Sequence, residues 1–446
     1  MMEGQRAKDR YLQALERRDS AWPDWAEAIR RRGAERFAQI DWPHHRQEAW
    51  RFTDVTPVVE AEFEVDGRAG AELERPDIGE WALDEAGAEL VFVDGHYALG
   101  LSRYGTDRTD RTDRTYALSA AILAGNPVLR KHLDAHIEAT DAFLALNAAF
   151  LRDGAFVHVP KGADAGLIHV LHVSTGKRAS HPRNLIVLER GSACRVVETY
   201  AGVGGRAYLA NAVTEAVLEA DARLDYVKVV AESEEAYHLG TTQVVQGRGS
   251  GFQSNTITLG GRISRSGLNV ALDGEAAESF IRGLYLADGE RLTDNALFVD
   301  HARPRCLSRV AYRGILDGSG RGVFTGSVVV ERGAQKTDSN QVNNNLVLSD
   351  SARVDTKPQL RIFADDVKCM HGATIGQPSA ESIYYFKTRG IDEAAARRML
   401  TCGFAAEILG HLQVKSLKDR LTRAVFARFG GKGAGEDAAA ETRAPQ

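Results

Sequence analysis

The stretch "TGSVVVERGAQKTDSNQVNNNLVLSDSARVDTKPQLRIFADDVKCMHGATIGQ", Thr325 to Gln377, decides the fold class. Within it, short runs rich in Val, Leu, Ile and Thr alternate with clusters of Gly, Asp, Ser and Asn, which is the pattern of short strands joined by turns. The same pattern reaches back to about residue 156, and no long helical pattern interrupts it. The sequence therefore predicts a β domain over residues 156–378.

Turn residues punctuate this domain at intervals of roughly 15 or 30 residues, which is typical of strands wound in successive coils. These residues are Gly191, Asp221, Gly249, Gly274, Gly289, Gly318 and Asp350. We therefore predict a mainly β fold: a right-handed parallel β-helix flanked by N-terminal and C-terminal helical segments. Because the spacing is irregular, a two-sheet sandwich of the same strands is the alternative.

Helical patterns occupy both flanks of the β domain. Residues 1–155 are predicted to form a helical and mixed domain, residues 379–430 a C-terminal helical domain, and residues 431–446 a flexible tail. In the C-terminal domain an apolar stripe has four-residue spacing. It consists of Leu417, Leu421, Val425 and Phe429. Such a stripe packs either against the chain's own body or against a partner.

Composition excludes several classes of protein. Lys and Arg number 56 against 61 Asp and Glu, and a net charge of -5 gives no field that favours nucleic acid or an anionic membrane. The charged N-terminus lacks a signal-peptide core and no stretch approaches roughly 18 apolar residues, so we expect a cytoplasmic protein with no membrane span. The repeat "TDRTDRTDR", residues 106–114, has no apolar residue and is predicted to be a solvated loop.

Motifs for nucleotide hydrolysis and for a nucleophile elbow are missing from the sequence. No GxxxxGK[ST] or GxSxG occurs, so we expect no ATP site in this chain and no hydrolase of that type. Four cysteines lie far apart without a C-x-x-C pair, which fits a reduced compartment. Three of them, Cys194, Cys306 and Cys402, are expected to be structural.

The remaining cysteine forms a candidate site with a histidine. Cys369 and His371 are two positions apart, and in an extended segment such residues point to the same side, so thiolate and imidazole can reach one iron or zinc ion. Two ligands do not complete a site, and the others would come from distant coils or from another chain. The alternative is a buried thiol beside a hydrogen-bonded turn histidine. His301, in "HARP", is expected to be structural.

Several of these segments resemble one known family. The run from Thr325 to Gln377 closely resembles the SufB/SufD family of iron–sulfur cluster assembly scaffold proteins. The segments "VDHARPRCLSRVAYRGIL", "LNAAFLRDGAFVHVPKG" and "HHRQEAWRFTDVTPV" are similar to the same family, so the resemblance covers about residues 40–428. The glycine that follows His371 in "CMHGAT" resembles the SufD branch.

The resemblance implies a function and partners. It implies a non-catalytic scaffold subunit that pairs through its β-helix with a SufB-like subunit and binds a SufC-like ABC-type ATPase through its C-terminal helices. His371, with Cys369, would belong to an assembly site at which a transient iron–sulfur cluster is shared with the SufB partner. The apolar stripe from Leu417 to Phe429 would dock the ATPase. The resemblance also implies that flavin can join such a complex and that the chain can form a homodimer when alone.

Two other functions stay open at this point. One is a homodimeric metal-binding β-helix protein in which both chains contribute Cys369 and His371. The other is a β-helix enzyme acting on polysaccharide, which would use carboxylates along a groove. Its candidates are Asp288, Glu290, Asp294 and Asp300. Carboxylates in turns are more commonly solvated turn formers.

Overall fold

The computed structural model describes residues 2–17, 22–65, 73–104 and 114–430. Its helices are α1 (Met2–Glu16), α2 (Asp24–Gln39), α3 (Thr56–Glu60), α4 (Leu118–Leu123), α5 (Pro127–His132), α6 (Ala142–Ala149), α7 (Ala380–Lys387), α8 (Glu393–Leu409) and α9 (Lys415–Gly430), with short 3-10 helices at Glu48–Trp50 and Arg75–Ile78. None of the helices in these ranges combines the length and apolar character that a membrane crossing requires.

The strands of the described residues run from the N-terminal region to the start of α7. They are β1 (Glu64–Val65), β2 (Ala88–Val93), β3 (His96–Tyr97), β4 (Arg103–Tyr104), β5 (Arg114–Ala117), β6 (Ala155–Val159), β7 (Asp164–Ser174), β8 (Arg178–Ser180), β9 (Arg183–Leu188), β10 (Ala193–Gly202), β11 (Leu209–Leu218), β12 (Arg223–Ala231), β13 (Tyr237–Gln246), β14 (Gly251–Thr258), β15 (Ile263–Leu272), β16 (Glu278–Ala287), β17 (Leu292–His301), β18 (Leu307–Leu316), β19 (Arg321–Val330), β20 (Asp338–Val347), β21 (Arg353–Ile362) and β22 (Lys368–Gly376).

From β9 onward the strands alternate between two parallel sheets. One sheet contains β9, β11, β13 and the following odd-numbered strands to β21, and the other contains β10, β12 and the following even-numbered strands to β22. Ala193 pairs with Arg223, and Arg223 pairs with Gly251, so one coil takes about 30 residues. The result is a parallel β-solenoid of about 8 coils. The predicted β-helix is confirmed and the sandwich is wrong; the hand of the coil stays a prediction.

The coil corners lie where the sequence predicted turns. Five of the predicted turn residues have positive φ, which glycine and Asp adopt more readily than other residues. They are Gly191, Asp221, Gly249, Gly289 and Gly318. The Gly191 N–H donates to the carbonyl of Ala220, and the Asp221 N–H donates to that of Arg248. The corners therefore stack from coil to coil, as the strands do.

Alternate residues of each strand fill the interior of the solenoid. Val196, Ile281, Val310, Phe324 and Val330 belong to one continuous apolar cluster between the two sheets. Most strands of the solenoid thus contribute one face to this cluster. The N-terminal helices cover the outer face of the odd-numbered sheet. The C-terminal helices cover the outer face of the even-numbered sheet.

The N-terminal region is fused to the solenoid. β2 pairs with β7 and β5 pairs with β6, so both sheets continue into residues that the sequence analysis assigned to a separate domain. Residues 106–113 of the Thr-Asp-Arg repeat lie outside the described residues, and Arg114, its last residue, begins β5. The predicted tail, 431–446, also lies outside them.

Helices α2 and α6 cross at Gly33. A Cβ added there would lie 2.4 Å from the backbone nitrogen of Ala149 and 2.9 Å from the Ala148 Cβ. Gly33→Ala is therefore expected to destabilise the chain by about 1–3 kcal/mol, because two helix backbones must separate. In contrast, Gly403, in α8, has nothing within 4 Å of such a Cβ. Gly403→Ala should gain up to about 1 kcal/mol of helix propensity.

Urea unfolding midpoints of the two glycine variants check this prediction. Opposite signs of the midpoint shift are expected for Gly33→Ala and Gly403→Ala, although both replace a helical glycine by the same residue. A Gly33→Ala midpoint at or above that of the wild type would show that α2 and α6 do not need close backbone contact.

The C-terminal helices pack on the outer face of the even-numbered sheet. Asp392 caps α8, since its side chain accepts a hydrogen bond of 2.8 Å from the Ala395 N–H. Leu417, Leu421 and Val425 are 1%, 0% and 1% exposed, and Phe429 packs against the same cluster. The stripe expected to dock an ATPase is therefore part of the chain's own core. Its side chains could contact a partner only by leaving that core.

Candidate functional site

The solenoid ends in an open coil. Among the described residues, β21 and β22 each pair with the preceding strand of their own sheet and with no strand on the other side. Large apolar side chains are exposed on or beside these two strands. They are Ile362, Phe363, Met370 and Ile375. An open strand edge with exposed apolar residues is a surface on which another chain can pack.

The predicted pair lies on this open coil. Cys369 and His371 are on β22, in register with Ser339 and Gln341 of β20. Cys369 packs against the interior cluster of the solenoid, and because alternate residues of a strand share a side, His371 lies on the same inward side. Cys369 is half-buried and His371 is exposed. Both residues therefore lie at the open end of the solenoid interior, where a second chain can reach them.

The environment of Cys369 keeps its thiol protonated. Burial raises the pKa of Cys369, a backbone hydrogen bond from Ser339 opposes this rise, and the negative charge of Asp338 adds to it. Since the thiolate is the form that binds metal, Cys369 is a weak ligand in the isolated chain. A bound metal ion reverses this preference, because a coordinating thiol loses its proton.

The metal-ligand set of the open coil is incomplete. In the described part of the chain, no group of three or more His, Cys, Asp or Glu side chains is arranged to hold a metal ion. A thiolate and an imidazole are both suited to iron and zinc, but tetrahedral coordination takes four ligands. Cys369 and His371 can supply two of them.

The polar interior beneath the pair was not predicted from the sequence. Ser308 Oγ lies 2.8 Å from Ser339 Oγ and 2.9 Å from His301 Nε2, so a hydrogen-bonded line runs under Cys369. Burial lowers the pKa of His301 to about 4, so this ring is neutral and structural, as expected. The signal was "DSNQVNNN", in which every second residue is buried. A polar residue at an inward position carries no hydropathy signal, so the run resembles a turn.

The other three cysteines, Cys194, Cys306 and Cys402, are buried and lie far from Cys369 in the sequence. Cys306 Sγ lies 3.2 Å from the carbonyl oxygen of Gly274. Burial raises the pKa of Cys306, and it raises that of Cys402 to about 11. Thiols with raised pKa in apolar surroundings are poor nucleophiles and poor metal ligands. Their environment therefore fits the structural role that the sequence analysis expected.

A second group of ionisable side chains lies inside the first coils. Glu198 accepts hydrogen bonds from Tyr226 at 2.8 Å and from Thr214 at 2.9 Å. Burial lowers the pKa of the neighbouring Lys228. Six strand steps, about 29 Å at 4.8 Å each, separate Glu198 from the strand that carries the Cys-x-His pair. This group is therefore separate from the open coil.

Two of the four carboxylates that a polysaccharide enzyme would use, Asp288 and Asp294, are engaged in ion pairs. Asp288 pairs with Arg291 at 2.7 Å and also with Arg428. Asp294 is buried and accepts a hydrogen bond of 2.5 Å from Thr53. Carboxylates held in this way serve structural contacts rather than proton transfer to a substrate, so these two do not favour this alternative.

A cavity of about 590 Å³ lies between the N-terminal region and the odd-numbered sheet. Trp50, Phe143, Arg265 and Phe298 line it. The Arg265 guanidinium stacks over the Trp50 ring at 4.1 Å and donates to the Ala49 carbonyl at 2.9 Å. The Arg265 guanidinium is thus already used within the chain. The cavity does not include Cys369 or His371.

Fold and site together define a class: a two-sheet β-solenoid with helical flanks, whose last coil is open and bears a Cys-x-His pair. Comparison with protein-family models gives the family. The core domain of SufBD proteins of the SUF system for FeS cluster assembly matches residues 171–404, and the SufBD N-terminal region matches residues 5–166. The chain belongs to the SufBD family of iron–sulfur cluster assembly proteins and is SufD-like.

Individual relatives match most of the chain. An iron–sulfur cluster assembly SufBD family protein of Synechocystis sp. is 30% identical over 436 residues, which cover 94% of this chain and 95% of the relative. The iron–sulfur cluster assembly protein SufD of Escherichia coli is 28% identical, covering 87% of this chain and 90% of that protein. The chloroplastic protein ABCI7 of Arabidopsis thaliana is 28% identical, covering 88% and 84%.

Proposed function

We propose that this chain is a non-catalytic scaffold subunit of a SUF-type complex, acting in the cytoplasm. In this proposal its open coil pairs with a SufB-like subunit, its C-terminal helices dock a SufC-like ATPase, and a nascent iron–sulfur cluster is built and released at the first interface. One observation carries the proposal: Cys369 and His371, an incomplete ligand set, lie on an open strand edge with exposed apolar neighbours. Flavin in the complex stays a prediction.

The incomplete ligand set suits a site that must release its product. A cluster held by all its ligands within one rigid chain would leave slowly. When two chains share the ligands, a relative movement of the chains separates the ligands and weakens the site. The thiol of Cys369 supports this view, since it binds only where a metal ion displaces its proton. An ATPase docked on a separate surface could supply that movement.

The first test is anaerobic co-expression of this chain with a SufB-like subunit and a SufC-like ATPase. We expect a complex with fixed subunit stoichiometry that contains iron and acid-labile sulfide. If the chain instead purifies alone as a dimer with stoichiometric metal, the homodimeric metal protein replaces the proposal. Dimer formation without metal does not support that second function, because the open edge can pair with a copy of itself when its partner is absent.

The ATPase-docking surface is proposed on α7 and α8. Tyr384, Tyr385 and Met399 are exposed there, at 69%, 54% and 50%. Tyrosine is enriched among residues that dominate interface energy. Replacing both tyrosines by alanine is expected to weaken ATPase binding about 30-fold, which corresponds to roughly 2 kcal/mol. Isothermal titration of the ATPase against the folded chain measures this change.

An exposed leucine elsewhere is the control for this prediction. Leu123, on α4, is 63% exposed and lies in the N-terminal region. Leu123→Ala should leave the ATPase affinity within about twofold of the wild type. Equal weakening by Leu123→Ala and by the tyrosine double variant would remove the assignment of docking to α7 and α8.

A further inference from the structure

A buried glutamine lies beneath the candidate ligand His371. Gln341, on β20, is in register with His371 and points into the solenoid, where it is 0% exposed. Neighbouring parallel strands are about 4.8 Å apart, so these two side chains are adjacent on the same inward side. Among the described residues β22 is the last strand of this sheet, so His371 lies between Gln341 and the open end.

In the described part of the chain, the Gln341 amide uses its nitrogen in a hydrogen bond but not its oxygen. Its Nε2 donates to the Gly326 carbonyl at 3.3 Å, which fixes the amide orientation, because the reverse orientation would set two acceptors together. Its Oε1 has no hydrogen-bond partner among the described residues. A buried carbonyl oxygen without a partner is costly, and native proteins rarely leave one so.

The other polar side chains at inward positions of β20 have partners. Ser339 bonds to Ser308 at 2.8 Å. Asn345 donates to the Asn343 side-chain oxygen at 2.7 Å. Among the inward polar side chains of β20, the atom that lacks a partner within the described residues is therefore Gln341 Oε1, directly under His371.

Gly326 supports this arrangement from the opposite sheet. A Cβ at this position would lie 2.6 Å from both Nε2 and Oε1 of Gln341. Because Gly326 has no side chain, the Gln341 amide can occupy this space in the solenoid interior. A side chain at position 326, or a longer one at position 341, would therefore displace the amide.

We infer that Gln341 is a positioning residue for His371: its Oε1 accepts a hydrogen bond from the imidazole N–H and leaves the other ring nitrogen free at the open edge. A neutral imidazole has one donor and one acceptor nitrogen, so a fixed donor selects the tautomer. Metal-binding histidines commonly donate their second nitrogen to an oxygen in this way. His371 is exposed, so its ring is free to turn toward this oxygen. The role in cluster assembly rests on the proposed function.

The test begins with the isolated full-length chain labelled with 15N-histidine. The two ring nitrogen shifts of His371, assigned by their loss in His371→Ala, report its tautomer at a pH where the ring is neutral. We expect one dominant tautomer in the wild type and a mixture in Gln341→Met, which keeps the length but removes the acceptor. Gln341→Glu, which restores an acceptor, should restore the single tautomer.

Two further variants make the test specific. Gln246 is also 0% exposed and lies inside an earlier coil, so Gln246→Met removes an equally buried amide and should leave His371 unchanged. Gly326→Ala, which displaces the Gln341 amide without removing it, should weaken the tautomer preference. The inference is overturned if Gln341→Met leaves the His371 tautomer unchanged, or if Gln246→Met alters it equally. Thr356, on β21, has a buried Oγ1 without a hydrogen-bond partner in the described part of the chain. If this hydroxyl were the donor to Gln341 Oε1, Gln341→Met would likewise leave His371 unchanged and the inference would be overturned.

The same variants in the assembled complex separate this inference from the proposed function. We expect Gln341→Met to lower bound iron and sulfide about tenfold at unchanged subunit stoichiometry, and Gln341→Glu to recover most of the loss. A tautomer change without any change in cluster content would support Gln341 as a positioning residue and contradict the role proposed for His371. A change in neither quantity would overturn the inference about Gln341 and leave the proposed function standing.

Discussion

Replacing His371 by alanine in an assembled complex is expected to lower the bound iron and sulfide per complex at least tenfold. Loss of groups that merely orient a metal ligand commonly costs about 10- to 100-fold in affinity, and loss of a ligand should cost at least as much. His371 is exposed on β22, so its removal leaves no cavity in the solenoid core. Subunit stoichiometry and thermal stability should therefore stay at the wild-type values.

Met370 is the matched control for His371→Ala. It lies between the two predicted ligands, points to the opposite side of β22 and is 63% exposed. Met370→Ala can weaken pairing with a partner, but the cluster content of each assembled complex should not change. If complexes with His371→Ala keep full iron and sulfide, the histidine is not a cluster ligand and the site must be sought on other residues.

Leu421→Glu is expected to destabilise the chain by about 4 kcal/mol or more. Leu421 is 0% exposed on α9 and packs in the cluster that joins the C-terminal helices to the even-numbered sheet. The substitution removes buried apolar contacts, which costs about 2–5 kcal/mol, and it places a carboxylate where nothing in the cluster compensates its charge. Urea unfolding and proteolysis of the C-terminal helices measure the effect.

Phe426 provides the comparison on the same helix. It is 42% exposed, so Phe426→Glu should change stability by less than about 0.5 kcal/mol. The two variants also decide between the alternatives that the sequence left open for the stripe. If Leu421→Glu unfolds at the wild-type midpoint but no longer binds the ATPase, the stripe is a docking surface rather than core.

The β-solenoid was predictable because its signals are local. Turn residues such as Gly191 and Asp221 have positive φ at the coil corners, a backbone preference that belongs to the residue itself. The Asp392 cap of α8 is local in the same sense, because its side chain bonds within one helical turn. These features therefore appear in the sequence at the positions where the structure uses them.

The role of the C-terminal stripe was not predictable from its spacing. Leu417, Leu421 and Val425 have the periodicity of an apolar helix face, and that periodicity is the same whether the face packs on the chain's own sheet or on a partner. The choice depends on residues more than 100 positions away, such as Val229 and Leu284, which lie on the outer face of the even-numbered sheet.

The sequence by itself determined the coiled strands and the helical flanks. It also placed three cysteines far from one another and Cys369 two positions from His371. Each of these depends on residue types and spacings within a few positions. Only the tertiary structure decided that the pair lies on an open edge, that Gln341 lies beneath it, and that the C-terminal stripe is buried. The physical reason is that stacking joins residues about 30 positions apart, as Gln341 and His371 are, and neither hydropathy nor spacing records which side chains those contacts bring together.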